Sequence, residues 1–376
     1  MPTLEPYSIA LWLVAWVGHA VIWIAVLNHL YSRNITKLFL KPWRLFTGVF
    51  ILAFSLLLIE LDELGTYPRA VYTAICYAAF AAFAGITLYR NLRPKPRALL
   101  HEQTETHNLW PKFGKALFGG GHWQWVAKLP GNQIFRIDFT ELTLKVPTLP
   151  AAWDGLTIHA LSDFHFHGTP SKIWYEWILD RVAQWPTPDI VAIVGDVVDT
   201  DEHHAWIEPL LGRLKWKEAA FAILGNHEVN HHPEHVREVL GSLGFTILSN
   251  TWKQATIRGV ECVAIGNEMP WFHPRPDLGA APEGPFRLCL SHCPDQFYWA
   301  EAHSVNLMLC GHVHGGQVRL PVIGPIFVPS YYSRRFDCGV YERGDMVMVA
   351  GRGLAGKEPI RWRCNPQVLR ITLKAG

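Results

Sequence analysis

The stretch Asp189-Ile190-Val191-Ala192-Ile193-Val194-Gly195-Asp196-Val197-Val198-Asp199 decides how this chain is read. Its apolar run predicts a buried parallel strand that stops at Gly195 and delivers Asp196 to the edge of a sheet, where open α/β sheets keep their sites. An acidic residue after a strand is most often a helix cap. What stands at the ends of the neighbouring strands gives Asp196 its weight.

Outward from this strand, the pattern predicts strand 156–161, helix 173–184, helix 205–214, strand 219–224 and helix 233–243. Strands then dominate, at 246–248, 254–257, 261–265, 287–291, 306–309, 346–350 and 368–373. Five of the predicted strands end in polar motifs: Ser162-Asp163-Phe164-His165-Phe166-His167, Gly195-Asp196-Val197-Val198-Asp199, Gly225-Asn226-His227-Glu228, Ser291-His292 and Gly311-His312-Val313-His314-Gly315-Gly316-Gln317. A lone histidine is more often a satisfied core or surface residue than a ligand. Five such ends in succession are not an accident of composition.

Imidazole and carboxylate without thiolate suit Mn²⁺, Fe or Zn²⁺ in mixed N/O coordination. A carboxylate shared by two ions holds them at the ~3.5–4 Å used by two-metal hydrolases, and Asp196 is the natural bridge. The period-two pairs Asp163-x-His165 and His312-x-His314 point the same way if the backbone stays extended at the strand end. His167 could touch substrate or a metal-bound water but reads against being a ligand, while His203, His204, His231, His232 and His235 read better as solvated turn and helix-start residues than as ligands. The proline-rich loop 268–276, with Trp271, Phe272 and Arg275, reads as surface packing or as a cap over a substrate. Arg334, Arg335, Arg352 and Lys357 are candidates for a second phosphate contact.

Of the 376 residues 49% are hydrophobic and the mean hydropathy is +0.09, high for a wholly soluble protein. Residues 1–97 carry nine Lys/Arg against four Asp/Glu, the remainder twenty-five against twenty-eight, which argues against a nucleic-acid surface. Seven cysteines without paired metal-ligand spacing read as reduced thiols. Three apolar stretches, 7–30, 43–61 and 67–89, each approach the ~20 residues that cross a bilayer as a helix. Arg33, Lys37, Lys41 and Arg44 follow the first, Glu60, Asp62 and Glu63 stand against Arg69 after the second, and Arg90, Arg93, Lys95 and Arg97 follow the third. Positive charge stays on the cytoplasmic side. The expectation is an inner-membrane protein with three transmembrane helices in residues 1–97, the N-terminus outside, and a cytoplasmic catalytic domain at 151–376. His19, His29, Glu60 and Asp62 read as part of an anchor rather than an ion path. Residues 98–150 are expected as a connector whose aromatics (Trp110, Phe113, Phe118, Trp123, Trp125) lie at the headgroup level or pack on the domain, with paired strands between 134 and 146.

Asp-x-His, Gly-Asp-x-x-Asp, Gly-Asn-His-Glu, a later single His and Gly-His-x-His occur in the order of the calcineurin-like metallophosphoesterases, and residues 150–373 resemble that family. The runs 161–165, 291–295 and 311–321 resemble its bacterial membrane-associated phosphodiesterase branch. The resemblance implies a four-layer α/β (α+β) fold, a β-sandwich flanked by helices, and two divalent metal ions, manganese first. Matched by position, one ion would be held by Asp163, His165, Asp196 and His314, the second by Asp196, Asn226, His292 and His312. His227 would stand over the phosphate, oriented by Asp199. The implied reaction is in-line attack of a metal-bridging hydroxide on a phosphodiester or pyrophosphate bond, possible substrates including lipid-linked ones such as acylated sugar nucleotides. Two alternatives use the same residues: a phosphomonoesterase, and a non-catalytic membrane receptor or scaffold. Oligomeric state is not legible.

Overall fold

The structure, a computed structural model, describes residues 6–375. The chain divides into two compact units, one formed by Lys95–Arg319 with Arg335–Gly376, the other by the chain up to Pro94 with Leu320–Arg334.

The larger unit is a pair of stacked sheets. The first contains β1 (Leu99–Asn108), β2 (Arg136–Val146), β3 (Thr157–Leu161), β4 (Ile190–Val194), β5 (Ala219–Ile223) and β6 (Thr246–Ile247), joined by β15 (Gln367–Ala375) in the order β1-β2-β15-β3-β4-β5-β6. The second contains β7 (Trp252–Ile257), β8 (Val260–Asn267), β9 (Phe286–Ser291), β10 (Leu307–Cys310), β13 (Gly339–Arg343) and β14 (Met346–Ala350), in the order β13-β14-β10-β9-β8-β7. Strands β3 to β6 run parallel, as do β8, β9, β10 and β14. Parallel strands need crossovers, so their carboxyl ends share one edge of each sheet.

β4 shows why the apolar run is unbroken. Ile190, Ala192 and Val194 face the core shared with the second sheet, while Val191 and Ile193 face the core under the helices Lys172–Val182, Ile207–Leu211 and Pro233–Ser242. A strand covered on both faces has no position left for a polar side chain. Each of these aliphatic residues contributes roughly 1.5–3 kcal/mol by leaving water. On the outer side of the second sheet, the helix Phe297–Ala302 makes the crossover between β9 and β10. The mixed sheets with flanking helices agree with the expected fold class.

Residues 98–150 belong to this unit. β1 pairs antiparallel with β2, and β2 runs parallel to β15 in the main sheet. The alternation of Ile137, Phe139, Leu142, Leu144 and Val146 is the signature of that placement, all five being buried. Trp110 stacks on Phe135, Phe118 packs edge-on to Phe135 against the helix-side core, and Trp125 stays exposed. All seven cysteines are free.

The smaller unit contains α1 (Pro6–Tyr31), α2 (Lys37–Leu52), α3 (Phe54–Glu63) and α4 (Thr66–Leu92). α1 and α4 are long and apolar enough to cross a membrane. The second apolar stretch is not one straight helix as expected: α2 and α3 meet at Ala53 with a bend of 74°. The cause lies in α1. His19 Nε2 reaches the carbonyl of Phe50 at 3.1 Å and Trp16 Nε1 donates to that of Ile51 at 2.9 Å, where the amides of Phe54 and Ser55 would bond in a continuous helix. Side chains inserted into the i→i−4 ladder break a helix in this way. With Tyr72 Oη donating to His19 Nδ1 at 2.6 Å, the ring ties three elements together, a structural role in keeping with an anchor.

One buried base of the larger unit sets an acid limit on stability. His159 on β3 is 2% exposed, and burial first, then the Arg370 guanidinium, pushes its pKa down to about 3. Below pH 6.5 the unfolded chain takes up a proton that the folded one refuses, so stability falls as pH falls from 6.5 towards 3 by about 1.4 kcal/mol per pH unit. His159→Phe should therefore flatten the dependence of the melting temperature on pH between 6.5 and 4.5, read by thermal unfolding in detergent; an unchanged slope would remove His159 as its source.

Candidate metal centre

The strand-end residues come together as buried groups. Asp163, His165, Asp196 and His314 form one cluster whose potential ligand atoms lie within 4.8 Å of one another, and Asp196, His292 and His312 form a second. Asp196 belongs to both. A third group, His165, Asp199 and His227, adjoins the first.

The backbone that places them is not the extended one the spacing suggests. Asp163, His165, Asp196, His312 and His314 have left-handed φ values of 56°, 49°, 53°, 68° and 50°. Each costs roughly 1–3 kcal/mol for a residue with a Cβ, and such strain collects at functional sites. The zigzag keeps the alternation of faces, since Phe164 and Phe166 between and beyond the ligands are fully buried in the helix-side core. It also lets the loops after β3 and β4 continue to pair. Asp163 N donates to Gly195 O at 2.9 Å, His165 N to Asp196 O at 3.0 Å, and Phe166 N to Val197 O at 2.9 Å.

Two glycines admit the acids. A Cβ on Gly225 would lie 2.2 Å from Asp196 Oδ1, and one on Gly311 would lie 2.4 Å from Asp163 Oδ2. Side chains are therefore excluded at both positions. Asp196 Oδ1 accepts the backbone N–H of His227 at 2.9 Å, and Asp163 Oδ1 that of His312 at 2.9 Å.

The donor set fits divalent metal. His292 Nδ1 donates to Val194 O at 2.7 Å, so that in the neutral ring Nε2 carries the lone pair; that atom is buried and faces Asp196 Oδ2 at 3.1 Å. A second-layer bond that fixes the tautomer is typical of metal-binding imidazole. Asn226, directly after Gly225, has a buried Oδ1 with no hydrogen-bond partner. Nε2 of His165 lies 3.3 Å from that of His314 and 3.6 Å from Asp196 Oδ2. Burial alone would lower the pKa of His165 and His292; Asp199, Asp196 and Asp163 around the first, and Asp196 and Asp163 around the second, outweigh it and push both up to about 9. The pocket thus gathers positive charge, and a cation that takes these nitrogens displaces their protons.

Asp199 serves two rings at once. Its Oδ1 lies 2.8 Å from His165 Nδ1 and 2.6 Å from His227 Nδ1. Burial opposes its charge, but the two imidazoles hold the carboxyl well below the usual range. It therefore orients a candidate metal ligand as well as His227.

Several contributors carried no legible signal. Glu228, quoted within Gly-Asn-His-Glu but given no role, accepts from Val197 N at 2.5 Å, Val198 N at 2.9 Å and Gly225 N at 2.7 Å, binding the loop of Asp196 to that of Asn226. Glu268 accepts from Leu224 N at 2.8 Å and takes a bidentate Arg237 at 2.8 and 2.7 Å. Arg361, fully buried, donates to His314 O at 3.1 Å. Trp271 of the proline-rich loop packs its ring 4.6 Å from that of His312 and 5.6 Å from that of His292. The loop thus covers the second cluster rather than lying apart from it.

Other sequence candidates stay outside both clusters. His167 Nε2 meets Gly356 O at 3.2 Å, His203 pairs with Thr200, His231 and His232 face Asp201, and His204 stacks on His235. Arg334 lies in the helical unit, Arg335 packs on Tyr298 and Phe336, and Arg352 pairs with Asp138 at 2.6 Å.

Comparison with known proteins agrees with this geometry. The model of the calcineurin-like phosphoesterase family matches residues 156–316. YaeI, a phosphodiesterase of Escherichia coli, is 30% identical to this chain over 59% of it and 88% of YaeI. YkuE, an uncharacterized metallophosphoesterase of Bacillus subtilis, is 28% identical over 69% of this chain and 92% of YkuE. The match to Cj0846, an uncharacterized metallophosphoesterase of Campylobacter jejuni, is 24% identical and takes in 87% of this chain and 90% of Cj0846. The chain belongs to the calcineurin-like phosphoesterase family, and it is a metal-dependent phosphoester hydrolase.

Because His165 and His292 must shed protons to bind metal, Mn²⁺ affinity of the chelator-stripped protein should rise from pH 7 to pH 9. Calorimetric titration in buffers of different ionisation enthalpy would read the released protons. Affinity that is flat across this range would contradict the assignment of these nitrogens as ligands.

Proposed function

We propose that the protein is a membrane-anchored phosphodiesterase that uses two divalent ions, manganese first, to cleave phosphodiester or pyrophosphate bonds of lipid-linked substrates at the cytoplasmic face of the inner membrane. The observation that carries the reading is the sharing of Asp196 between two ligand clusters. Asp163, His165, Asp196 and His314 would hold one ion, and Asp196, Asn226, His292 and His312 the other. Bound there, the two ions would supply a water of lowered pKa and neutralise the nonbridging phosphate oxygens.

The chain's own groups do the rest. His227 keeps its Nδ1 proton against Asp199, which leaves Nε2 as the edge that can hold a proton for the leaving oxygen. Asp199 fixes the tautomer and the orientation of the ring. Trp271 shields the imidazoles of the second cluster from water on one side.

The membrane reading has its own support. The exposed surface of α1 and α4 is rich in large apolar residues, among them Ile9, Leu11, Leu13, Val26, Ile75, Ile86 and Leu88. Both helices meet Leu320–Arg334 near their last turns, through Asn28 and Tyr31 of α1 and Thr87 and Asn91 of α4. They therefore run in the same direction, and a chain that crosses twice in one direction must return between, which supports reading α2 and α3 as a broken third span. Basic residues after both helices support a cytoplasmic placement of that end. A substrate confined to the same plane is the economical reason for such an anchor.

The test is a substrate panel in lipid nanodiscs with metal analysis of the same sample. Lipid-linked diesters should be cleaved fastest, bis-p-nitrophenyl phosphate faster than p-nitrophenyl phosphate, and Asp196→Asn should lose metal and activity together. His227→Ala should keep its metal and lose roughly 10²–10⁴-fold in kcat. A preference for the monoester would make the protein a phosphomonoesterase, and no metal-dependent turnover on any member would make it a receptor or scaffold.

A further inference from the structure

The segment Leu320–Arg334 is part of the catalytic chain by sequence and of the helical unit by packing. It begins with a short ladder between β11 (Arg319–Leu320) and β12 (Gly324–Pro325), and its prolines, Pro321, Pro325 and Pro329, prevent any longer strand or helix. An irregular segment of this kind has backbone groups that its own fold does not satisfy. Side chains of the helices satisfy them. Asn28 Oδ1 accepts Val328 N at 3.0 Å while its Nδ2 donates to Ser333 Oγ at 3.0 Å. Asn91 Nδ2 donates to Val322 O at 2.9 Å, and Arg90 donates to Arg334 O. Arg334 turns back to donate to Ile323 O at 2.8 Å and to Thr87 Oγ1 at 3.0 Å, its guanidinium lying 4.2 Å from the ring centre of Phe83. Phe327 packs edge-on against Tyr31 at 5.4 Å and Tyr331 against His29 at 4.8 Å.

What remains outward is apolar. Val322 is 78% exposed, Tyr331 55% and Ile326 37%, while Val328 and Ser330 are fully buried. The outward residues adjoin helices whose own exposed surface is apolar, at the helix ends that carry Arg33, Arg90 and Arg93. Polar backbone tied off internally, apolar side chains turned out and a basic neighbourhood are the three requirements for irregular chain at the boundary of a bilayer with anionic headgroups.

We propose that Leu320–Arg334 is a second membrane-contacting element, an arm that seats Val322, Ile326 and Tyr331 in the headgroup–acyl boundary of the cytoplasmic leaflet. It starts directly after Gly-His-x-His-Gly-Gly. At its foot Arg319 Nη1 donates to Gly315 O at 2.8 Å and pairs with Asp337 Oδ2 at 2.6 Å, Asp337 being 2% exposed. The loop that bears His312 and His314 is thereby tethered, through a braced joint, to a segment lodged in lipid. The partner is the bilayer itself.

The inference rests on the membrane reading above, and the experiment separates the two. The full chain with Cys338→Ser, the other cysteines being buried, carries Val322→Cys or Ile326→Cys labelled with a bimane fluorophore, in nanodiscs of phosphatidylglycerol and phosphatidylcholine. A parallel protein carries the label at Ile75→Cys on the exposed face of α4. Shallow nitroxide-labelled lipid should quench at 322 and 326 as it quenches at 75, and aqueous iodide should leave all three bright. Lipid quenching at 75 with iodide quenching at 322 and 326 would overturn the arm while leaving the anchor standing. Iodide quenching at every position would overturn both.

Discussion

Two carboxylates with almost no exposure, Asp163 and Asp196, set the terms for everything near them. A buried charge without partners costs several kcal/mol, so the surroundings must provide donors and cations at close range. Two backbone amides, those of His227 and His312, are spent on this task, and both come from the residues that also bring imidazole to the site. The left-handed turns at the strand ends and the missing side chains at Gly225 and Gly311 are the geometric cost of bringing five loops that close. None of these features improves packing. Together they make sense only around positive charge, and divalent ions supply it in the most compact form.

Holding strained loops in place falls to acids that never touch the clusters directly. Glu228 gathers three amides from two loops, and Glu268, directly after β8, accepts from Leu224 N after β5 and ties in the helix Pro233–Ser242 through Arg237. Removing either leaves buried donors unpaired, at about 1–3 kcal/mol for each. Burial first, and the nearby Asp196 charge second, push Glu228 up to about 7. The same cationic centre that compensates Asp163 and Asp196 also favours the ionised Glu228, so metal binding and loop order support each other.

Much of this was legible in the letters. The run 190–194 reads correctly because a strand covered on both faces has only one composition open to it, and the polar motifs at the strand ends supply the Asp and His residues that cluster in the fold. Glu228 was visible but mute: a carboxylate that binds backbone looks the same in sequence as one that binds solvent. The left-handed φ of Asp163, His165, Asp196, His312 and His314 leaves no mark in the letters, because period-two spacing fits an extended strand and an alternating turn equally well. The bend at Ala53 has no glycine or proline to announce it; its cause is Trp16 and His19, more than thirty residues earlier. Tertiary contacts of that kind leave no local trace. The residues 98–150 looked like a linker because their aromatics suited lipid and core alike, and only the pairing of β1 with β2 decides for the core.

The helices also complete a segment from much later in the chain. Leu320–Arg334 takes its hydrogen bonds from Asn28, Thr87, Arg90 and Asn91. A chain shortened to begin after Pro94 would keep both sheets and every strand-end motif, yet it would strand this segment with Val328 uncovered and its carbonyls of 322 and 334 without donors. Arg319 and Asp337 would still close its foot, so the metal loop would survive while the excursion beyond it lost its fold. Such a protein should bind metal and cleave small soluble diesters but handle them in the presence of a loose, apolar fifteen-residue loop, prone to self-association. The helical unit is therefore completed by a segment drawn from late in the sequence, well beyond the boundary that follows Pro94.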